Sequence, residues 1–189
     1  MKRREPVALD FEIDKLTNSI ENGITGDSFP TDILRISPQD LKSINRKNGW
    51  VFKWNSEFEH PEREVYKLTI VNNQSVIQGL ISLQVMPDHV FMHLVESAPF
   101  NKGKNKVYVG VPGNLVAFAC QLSFQRGYEG NIAFISKTQL IEHYSKSLGA
   151  IHISNQRMII IRDQKAKKPA NILQSAEQLN QLEEKLLLN

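Results

Sequence analysis

The stretch VYVGVPGN (107–114) runs directly into LVAFACQLSFQRGY (115–128), and this junction decides how the chain is interpreted. It has two glycines in a loop that opens an amphipathic helix, predicted over about 114–126 with Gly127 as its C-terminal stop. Such a junction presents backbone N–H groups at the positive end of a helix dipole. The sequence therefore predicts a binding site for a phosphate or pyrophosphate.

Bulk composition limits the class of protein. A chain of 189 residues is long enough for one well-buried domain with appended helices, and its 41% hydrophobic and 23% charged residues are typical of soluble globular proteins. A net charge of +3 is too small to indicate nucleic-acid binding. No apolar run approaches the roughly 20 residues of a membrane span, and the basic start MKRREPVALDFEIDK lacks the apolar core of a secretory signal.

The sole cysteine, Cys120, allows no intramolecular disulfide and fits a reducing, cytoplasmic compartment. It stands among small and aromatic residues of the predicted helix. We therefore interpret it as a small core residue rather than a nucleophile.

The middle of the chain is rich in strand signals. Three strands are predicted over 64–71, 76–85 and 90–97, and their short connections make them antiparallel neighbours. A polar loop follows over 98–112. Downstream, a strand, a helix and a strand are predicted at 130–135, 138–148 and 158–162. The alternation of strands and helices at this end of the chain implies at least one parallel pairing through a right-handed crossover. The expected fold is an α/β (α+β) domain with a mixed, mainly antiparallel sheet flanked by helices.

The two ends of the chain give weaker signals. Apolar residues at helical spacing predict a helix over 8–25, and a short strand is predicted at 32–36. Ser37 followed by proline predicts a helix over 38–47. An appended amphipathic helix is predicted over 169–189, which packs on the domain or forms a partner surface such as a homodimer contact. The aromatic residues Trp50, Phe52, Trp54 and Phe58 are predicted in a loop or irregular strand.

This order of elements resembles the GNAT superfamily of acyl-CoA-dependent N-acetyltransferases. That family has an R-G-Y/F turn after its phosphate-binding helix, matched here by Arg126-Gly127-Tyr128. Its usual F-Y-x-x-x-G-F ending appears here as the segment from His143-Tyr144 to Gly149-Ala150. The resemblance covers about 64–162 within a single domain over 1–189. It implies a GNAT-like fold and acetyl-CoA as cosubstrate, with no metal.

The resemblance also implies which residues hold the cofactor. Val107 stands where the family usually has Gln or Arg, and Pro112 replaces a glycine and removes one backbone donor. Lys137 stands where many members have Asn. The positions expected to contact CoA are then Val109, Gly110, Val111, Gly113 and Asn114, with Ser136 beside the pantetheine arm.

Acetyl transfer to an amine needs one group to accept a proton and another to donate one. Glu96 ends the third strand, and strict alternation would place it in one row with Val90, Met92 and Leu94; a carboxylate that continues an apolar row is a candidate base. His93 is an alternative base because its ordinary pKa suits the role. Tyr144 lies where the resemblance places the CoA sulfur, which makes it the candidate acid.

Acceptor recognition is expected from about 22–62, where the aromatic residues line a pocket or, in the simpler interpretation, belong to the core. The stretch Asn101 to Lys106 forms a lip over the site or a solvated loop. The main hypothesis is an acetyltransferase acting on an amine of a small molecule or protein. The alternative is an acyl-CoA-binding sensor or interaction module without turnover.

Overall fold

The computed structural model describes residues 8–9, 11 and 19–161, and this part of the chain forms one sheet with helices on both faces. The strands are β1 (Ser19–Asn22), β2 (Ser28–Arg35), β3 (Arg63–Ile70), β4 (Asn73–Val85), β5 (Val90–Ser97), β6 (Tyr108–Val109), β7 (Ile132–Ile135), β8 (Ile151–Ser154) and β9 (Arg157–Ile160). The α-helices are α1 (Trp54–Glu59), α2 (Val111–Gln125) and α3 (Ile141–Leu148).

The strand order is β6-β1-β2-β3-β4-β5-β7-β9-β8. Every neighbouring pair is antiparallel except β5 and β7, which run parallel and are joined through α2. The predicted mixed, mainly antiparallel sheet is thus confirmed, and so is the predicted parallel pairing, between β5 and β7. The three central strands lie within three residues of their predicted bounds.

Two hydrophobic clusters bury the faces of the central strands. On one face, α2 and α3 cover a large cluster that includes Leu115, Phe134 and Cys120, so the cysteine is a buried core residue as predicted. On the other face, α1 covers a smaller cluster around Trp54 and Leu80. The start of α2 packs tightly on β4, because a Cβ added at Gly79 would lie 2.6 Å from Val111 Cγ1.

A bulge in β5 corrects the predicted alternation of that strand. Met92 pairs with Leu83 and Leu94 pairs with Ser82, so His93 is an extra residue on β5. Met92 packs in the α2-side cluster, whereas Leu94 packs in the α1-side cluster. Glu96 therefore does not continue the row of Val90 and Met92, as strict alternation predicted, but faces α1.

The predicted helix over 8–25 is wrong for its described part. Ser19–Asn22 is a strand that pairs with β2 and β6, and Leu9 forms a parallel β-bridge with Ser136. The turn that follows is set by Asn22, whose side-chain oxygen accepts hydrogen bonds from the backbone N–H groups of the two residues after Gly23. Local hydrogen bonding and sheet pairing here override a periodic apolar pattern.

The segment between β2 and β3 also differs from its prediction. In place of a helix over 38–47 there are two 3₁₀ turns, Asp40–Lys42 and Arg46–Asn48, because the Asn45 side chain caps a new turn by accepting from Asn48 N. The aromatic stretch contains a short helix, α1, rather than only a loop or irregular strand.

The last hairpin, β8–β9, begins earlier than the single strand predicted at 158–162, and β8 had no strong sequence signal. The predicted helix at 169–189 lies outside the described residues. Among the described helices, none has the length and apolar character to cross a membrane.

Candidate functional site

An opening lies between β5 and β7, beyond their paired residues. The two strands pair only from Val90 to Met92 on β5 and from Ile132 to Phe134 on β7. Residues 93–97 of β5 continue past the last of these pairs. Because the bulge at His93 redirects β5, the two parallel strands separate, and backbone groups at the facing edges become available to another chain or ligand.

The predicted phosphate-binding junction lies beside this opening, at the start of α2. Gly110 precedes the helix with φ of 89°, a left-handed conformation that favours glycine. The first intrahelical bond runs from Asn114 N to Gly110 O, so the N–H groups of Val111 and Gly113 precede it. Pro112 contributes no donor.

The junction is covered in this structure. Val109 pairs with Glu21 of β1, and Gly110, Val111, Gly113 and Asn114 are all buried. The Asn114 amide donates to Ser19 O at 3.1 Å and to Gly110 O at 2.8 Å. The segment around β1 therefore lies over the helix start that the sequence assigns to a phosphate.

Glu96 is almost fully buried, with an exposed fraction of 4%, and its carboxylate binds four donors. Oε1 accepts from Val51 N at 2.7 Å and from Lys102 Nζ at 2.5 Å. Oε2 accepts from Trp54 Nε1 at 2.7 Å and from Phe52 N at 3.4 Å. These contacts fix the aromatic loop, defined as residues 50–54, against the end of β5.

Tyr144 is fully buried on α3, between the rings of Phe11 and Phe134. Its hydroxyl donates to Phe11 O at 2.7 Å and accepts from Phe11 N at 3.0 Å. The predicted acid therefore has its hydroxyl engaged by the backbone of one residue near the N-terminus.

Phe11 connects the two candidate catalytic residues. A cavity of about 340 Å³ lies at the end of β5, and its walls include Phe11, Glu96, Val95 and Lys102. Phe11 thus borders the cavity that contains Glu96 and also binds the Tyr144 hydroxyl. The structure brings both predicted residues to the same N-terminal segment.

His93, the alternative base, lies in a different setting. Burial, together with the charges of Arg63 and His60, lowers the pKa of His93 to about 3. Its Nε2 is 2.8 Å from Gln84 Oε1. A neutral imidazole with so low a pKa is a poor proton acceptor at neutral pH.

The aromatic stretch is mainly core, as the simpler interpretation held. Trp50 and Trp54 are buried in the α1-side cluster, with Phe58 packed against it, and only Phe52 also lines the cavity. Ser136 is fully buried, and its N–H donates to Gln156 O at 2.7 Å.

Sequence reasoning missed Phe11 altogether and treated Lys102 only as part of a loop. Lys102 forms an ion pair with the buried Glu96, and Asn101 anchors the base of that loop by donating to Gln78 O at 3.1 Å. No local pattern marks Phe11, because its partner Tyr144 is 133 residues away. Among the described residues, no group of three or more His, Cys, Asp or Glu side chains is placed to hold a metal ion.

Known proteins share the fold of this chain rather than its sequence. No protein-family model matches it, and no curated protein matches it in sequence. The ribosomal-protein-S18-alanine N-acetyltransferase of Escherichia coli superposes with a TM-score of 0.51 at 14% identity, covering 72% of this chain and 97% of that one. A dodecameric spermidine N-acetyltransferase of Vibrio cholerae superposes with a TM-score of 0.51 at 15% identity, covering 74% and 98%. The chain therefore has the fold of the GNAT-type N-acetyltransferases, as its motifs predicted.

Proposed function

We propose that this protein transfers an acetyl group from acetyl-CoA to an amine. The observation that carries the proposal is the opening between β5 and β7, next to the buried hydroxyl of Tyr144, in a chain with the fold of N-acetyltransferases. An opening between two parallel strands offers backbone donors and acceptors to the amide groups of a pantetheine arm.

The proposed reaction is a direct attack in a ternary complex. An acceptor ammonium gives a proton to Glu96, directly or through water, and the resulting amine nitrogen attacks the thioester carbonyl carbon. A C–N bond forms and the C–S bond breaks. The thiolate of CoA then takes a proton from the Tyr144 hydroxyl, and the acetylated nitrogen gives its second proton to the resulting tyrosinate, directly or through water. Glu96 releases its proton to solvent.

The start of α2 is the proposed seat of the CoA pyrophosphate. The N–H groups of Val111 and Gly113 precede the first intrahelical bond, at the positive end of a 15-residue helix. Val109, Gly110 and Asn114 border this turn. Since the turn is buried beneath the segment around β1, phosphate contact requires that segment to move.

A second candidate function is acyl-CoA binding without turnover, as a sensor or interaction module. The occupancy of the candidate catalytic groups favours it, since the Glu96 carboxylate already binds four donors and the Tyr144 hydroxyl binds a backbone N–H and C=O. A cytoplasmic location is expected for either function, because the single cysteine suits a reducing compartment.

The first test is binding of acetyl-CoA by calorimetry and thermal shift. Binding with a Kd near 10 µM would stabilise the folded chain by about 2.7 kcal/mol at 1 mM ligand. No stabilisation at millimolar acetyl-CoA would contradict both candidate functions, since each requires the cofactor to bind.

The second test separates the two functions by measuring CoA release with a panel of amines. The panel includes spermidine and an alanine-containing peptide of ribosomal protein S18, the acceptors named for the two similar structures. For an enzyme, Glu96→Gln and Tyr144→Phe should each lower kcat by about 10²-fold or more. Glu59→Gln on the exposed side of α1 and Tyr128→Phe after α2 serve as matched controls. Tight acetyl-CoA binding with no CoA release from any amine would favour the module.

A further inference from the structure

Leu9 and Phe11, which precede β1 in the chain, lie at the opening between β5 and β7. Leu9 N donates to Ile135 O at 2.6 Å, and Lys137 N donates to Leu9 O at 3.1 Å. Leu9 also forms a parallel β-bridge with Ser136 and is only 2% exposed. It therefore pairs with the continuation of β7 beyond the point at which β5 stops pairing with it.

Phe11 adds a second contact, with Tyr144 on α3. Its backbone uses both hydrogen-bonding functions of the Tyr144 hydroxyl, and the two rings lie 5.0 Å apart between centroids. The residue is 8% exposed and borders the cavity at Glu96. Leu9 and Phe11, here called the N-terminal plug, thus contact β7 and the candidate acid and lie beside the candidate base.

We propose that the opening is a binding surface for an extended peptide, that the N-terminal plug is its occupant, and that acyl-CoA binds only when the plug has left. The proposal rests on the proposed function, because it takes the opening as the acyl-CoA site. Its physical basis is direct competition. A pantetheine amide and the Leu9 amide would use the same Ile135 carbonyl and Lys137 N–H, and a thioester next to Tyr144 would displace Phe11.

Competition of this kind makes the apparent affinity for acyl-CoA depend on the fraction of molecules with the plug released. If that fraction is about one in ten, removal of the plug strengthens apparent binding about tenfold. The occupant belongs to the same chain, so its effective concentration does not change when the protein is diluted.

A reversible cross-link tests the proposal in the full chain. Leu9 and Ser136 are bridge partners, and adjacent strands lie about 4.8 Å apart, which is within the Cα separation that a disulfide spans. The double variant Leu9→Cys, Ser136→Cys should therefore close under oxidation, while native Cys120 stays buried. Calorimetry with acetyl-CoA is run on the oxidised protein and on the same protein after reduction.

The expected result is at least a tenfold loss of acetyl-CoA affinity on oxidation, restored by reduction. In an otherwise unchanged chain, Leu9→Pro removes the N–H that binds Ile135 O and should raise affinity about tenfold, whereas Ala8→Pro retains that N–H and is the matched control. Circular dichroism verifies that each variant is folded.

Equal affinity in the oxidised and reduced protein would show that plug and acyl-CoA bind together, and would overturn this inference while leaving acetyl-CoA binding intact. If the folded, reduced protein and Leu9→Pro both fail to bind millimolar acetyl-CoA, the proposed function itself is wrong, and the inference falls with it.

Discussion

The two faces of β5 differ in what holds their polar groups in place. On the α1 face, Glu96 is bound by the aromatic loop and by Lys102, all of which lie within the main body of the domain. On the α2 face, the hydroxyl of Tyr144 is bound by Phe11, which lies ahead of the first strand.

Glu96 therefore belongs to a hydrogen-bond network inside the domain, whereas the Tyr144 hydroxyl is bound by a residue that precedes the first strand. Releasing Glu96 leaves Trp54 Nε1 without its acceptor in a core where Trp54 is 1% exposed. Releasing the Tyr144 hydroxyl requires Leu9 and Phe11 to leave a hydrophobic cluster in which they are 2% and 8% exposed, and their backbone groups then bind water. The α1 face therefore contributes mainly to stability, whereas the α2 face exchanges its occupant when the plug is released as we propose.

The largest effect is expected from Glu96→Ala. This change removes the acceptor from Trp54 Nε1 and two backbone N–H groups, and we expect the free energy of unfolding to fall by about 2–4 kcal/mol. Urea denaturation measures the loss. Glu96→Gln keeps one acceptor oxygen and should lose roughly half as much. A loss below about 1 kcal/mol for the alanine variant would refute the structural role given to the α1 face.

The next effect is a pH dependence that also belongs to the α1 face. Burial and the neighbouring Arg63 and His60 lower the pKa of His93 to about 3, so the folded chain keeps this imidazole neutral while the unfolded chain protonates it near its ordinary pKa of 6.5. The unfolded state then binds more protons between about pH 6.5 and 3. Stability therefore falls with decreasing pH in that window, by up to about 1.4 kcal/mol per pH unit from this group.

The measurement is urea denaturation of His93→Asn and wild type at several pH values. From pH 6.5 to 4.5 the wild type should lose about 2–3 kcal/mol more than the variant. His152→Asn, at an exposed position on β8, is the control and should follow the wild type. Parallel curves for wild type and His93→Asn would mean that His93 is not held neutral in the fold.

The structure on the α2 face of β5 is more predictable from the sequence than the structure on the α1 face. The start of α2, the strands around it and the Tyr144 to Gly149 segment follow local rules, namely a left-handed glycine before a helix, short turns and a helix stop. These rules, with the family resemblance, were sufficient to predict the fold class, the antiparallel centre of the sheet and a parallel pairing.

The errors that concern the site come from strand pairing and from contacts between residues that are distant in sequence. A single extra residue at His93 turned Glu96 to the other face, and strict alternation cannot anticipate a bulge. No local pattern marks Phe11, because its partner is 133 residues away in the sequence. The apolar spacing over β1 predicts a helix, because the pairing of β1 with β2 and β6 is not visible in a periodic pattern. The fold was therefore predictable, whereas the contacts that occupy the site were not.

The smallest effect is expected from Lys102→Met, which tests whether the α1 face depends on its backbone and indole donors or on the ion pair. The Lys102 ammonium lies 2.5 Å from Glu96 Oε1, but its side chain is 35% exposed, so water replaces much of what the pair provides. We expect a loss of about 1 kcal/mol or less in urea denaturation, with Lys104→Met on the exposed loop as the matched control. A loss as large as that of Glu96→Ala would mean that the ion pair holds the aromatic loop. A small loss would mean that Glu96 Oε1 can release the Lys102 ammonium while the domain stays folded. A proton acceptor for an incoming amine must be able to do this, because the acceptor ammonium has to take the place of Lys102.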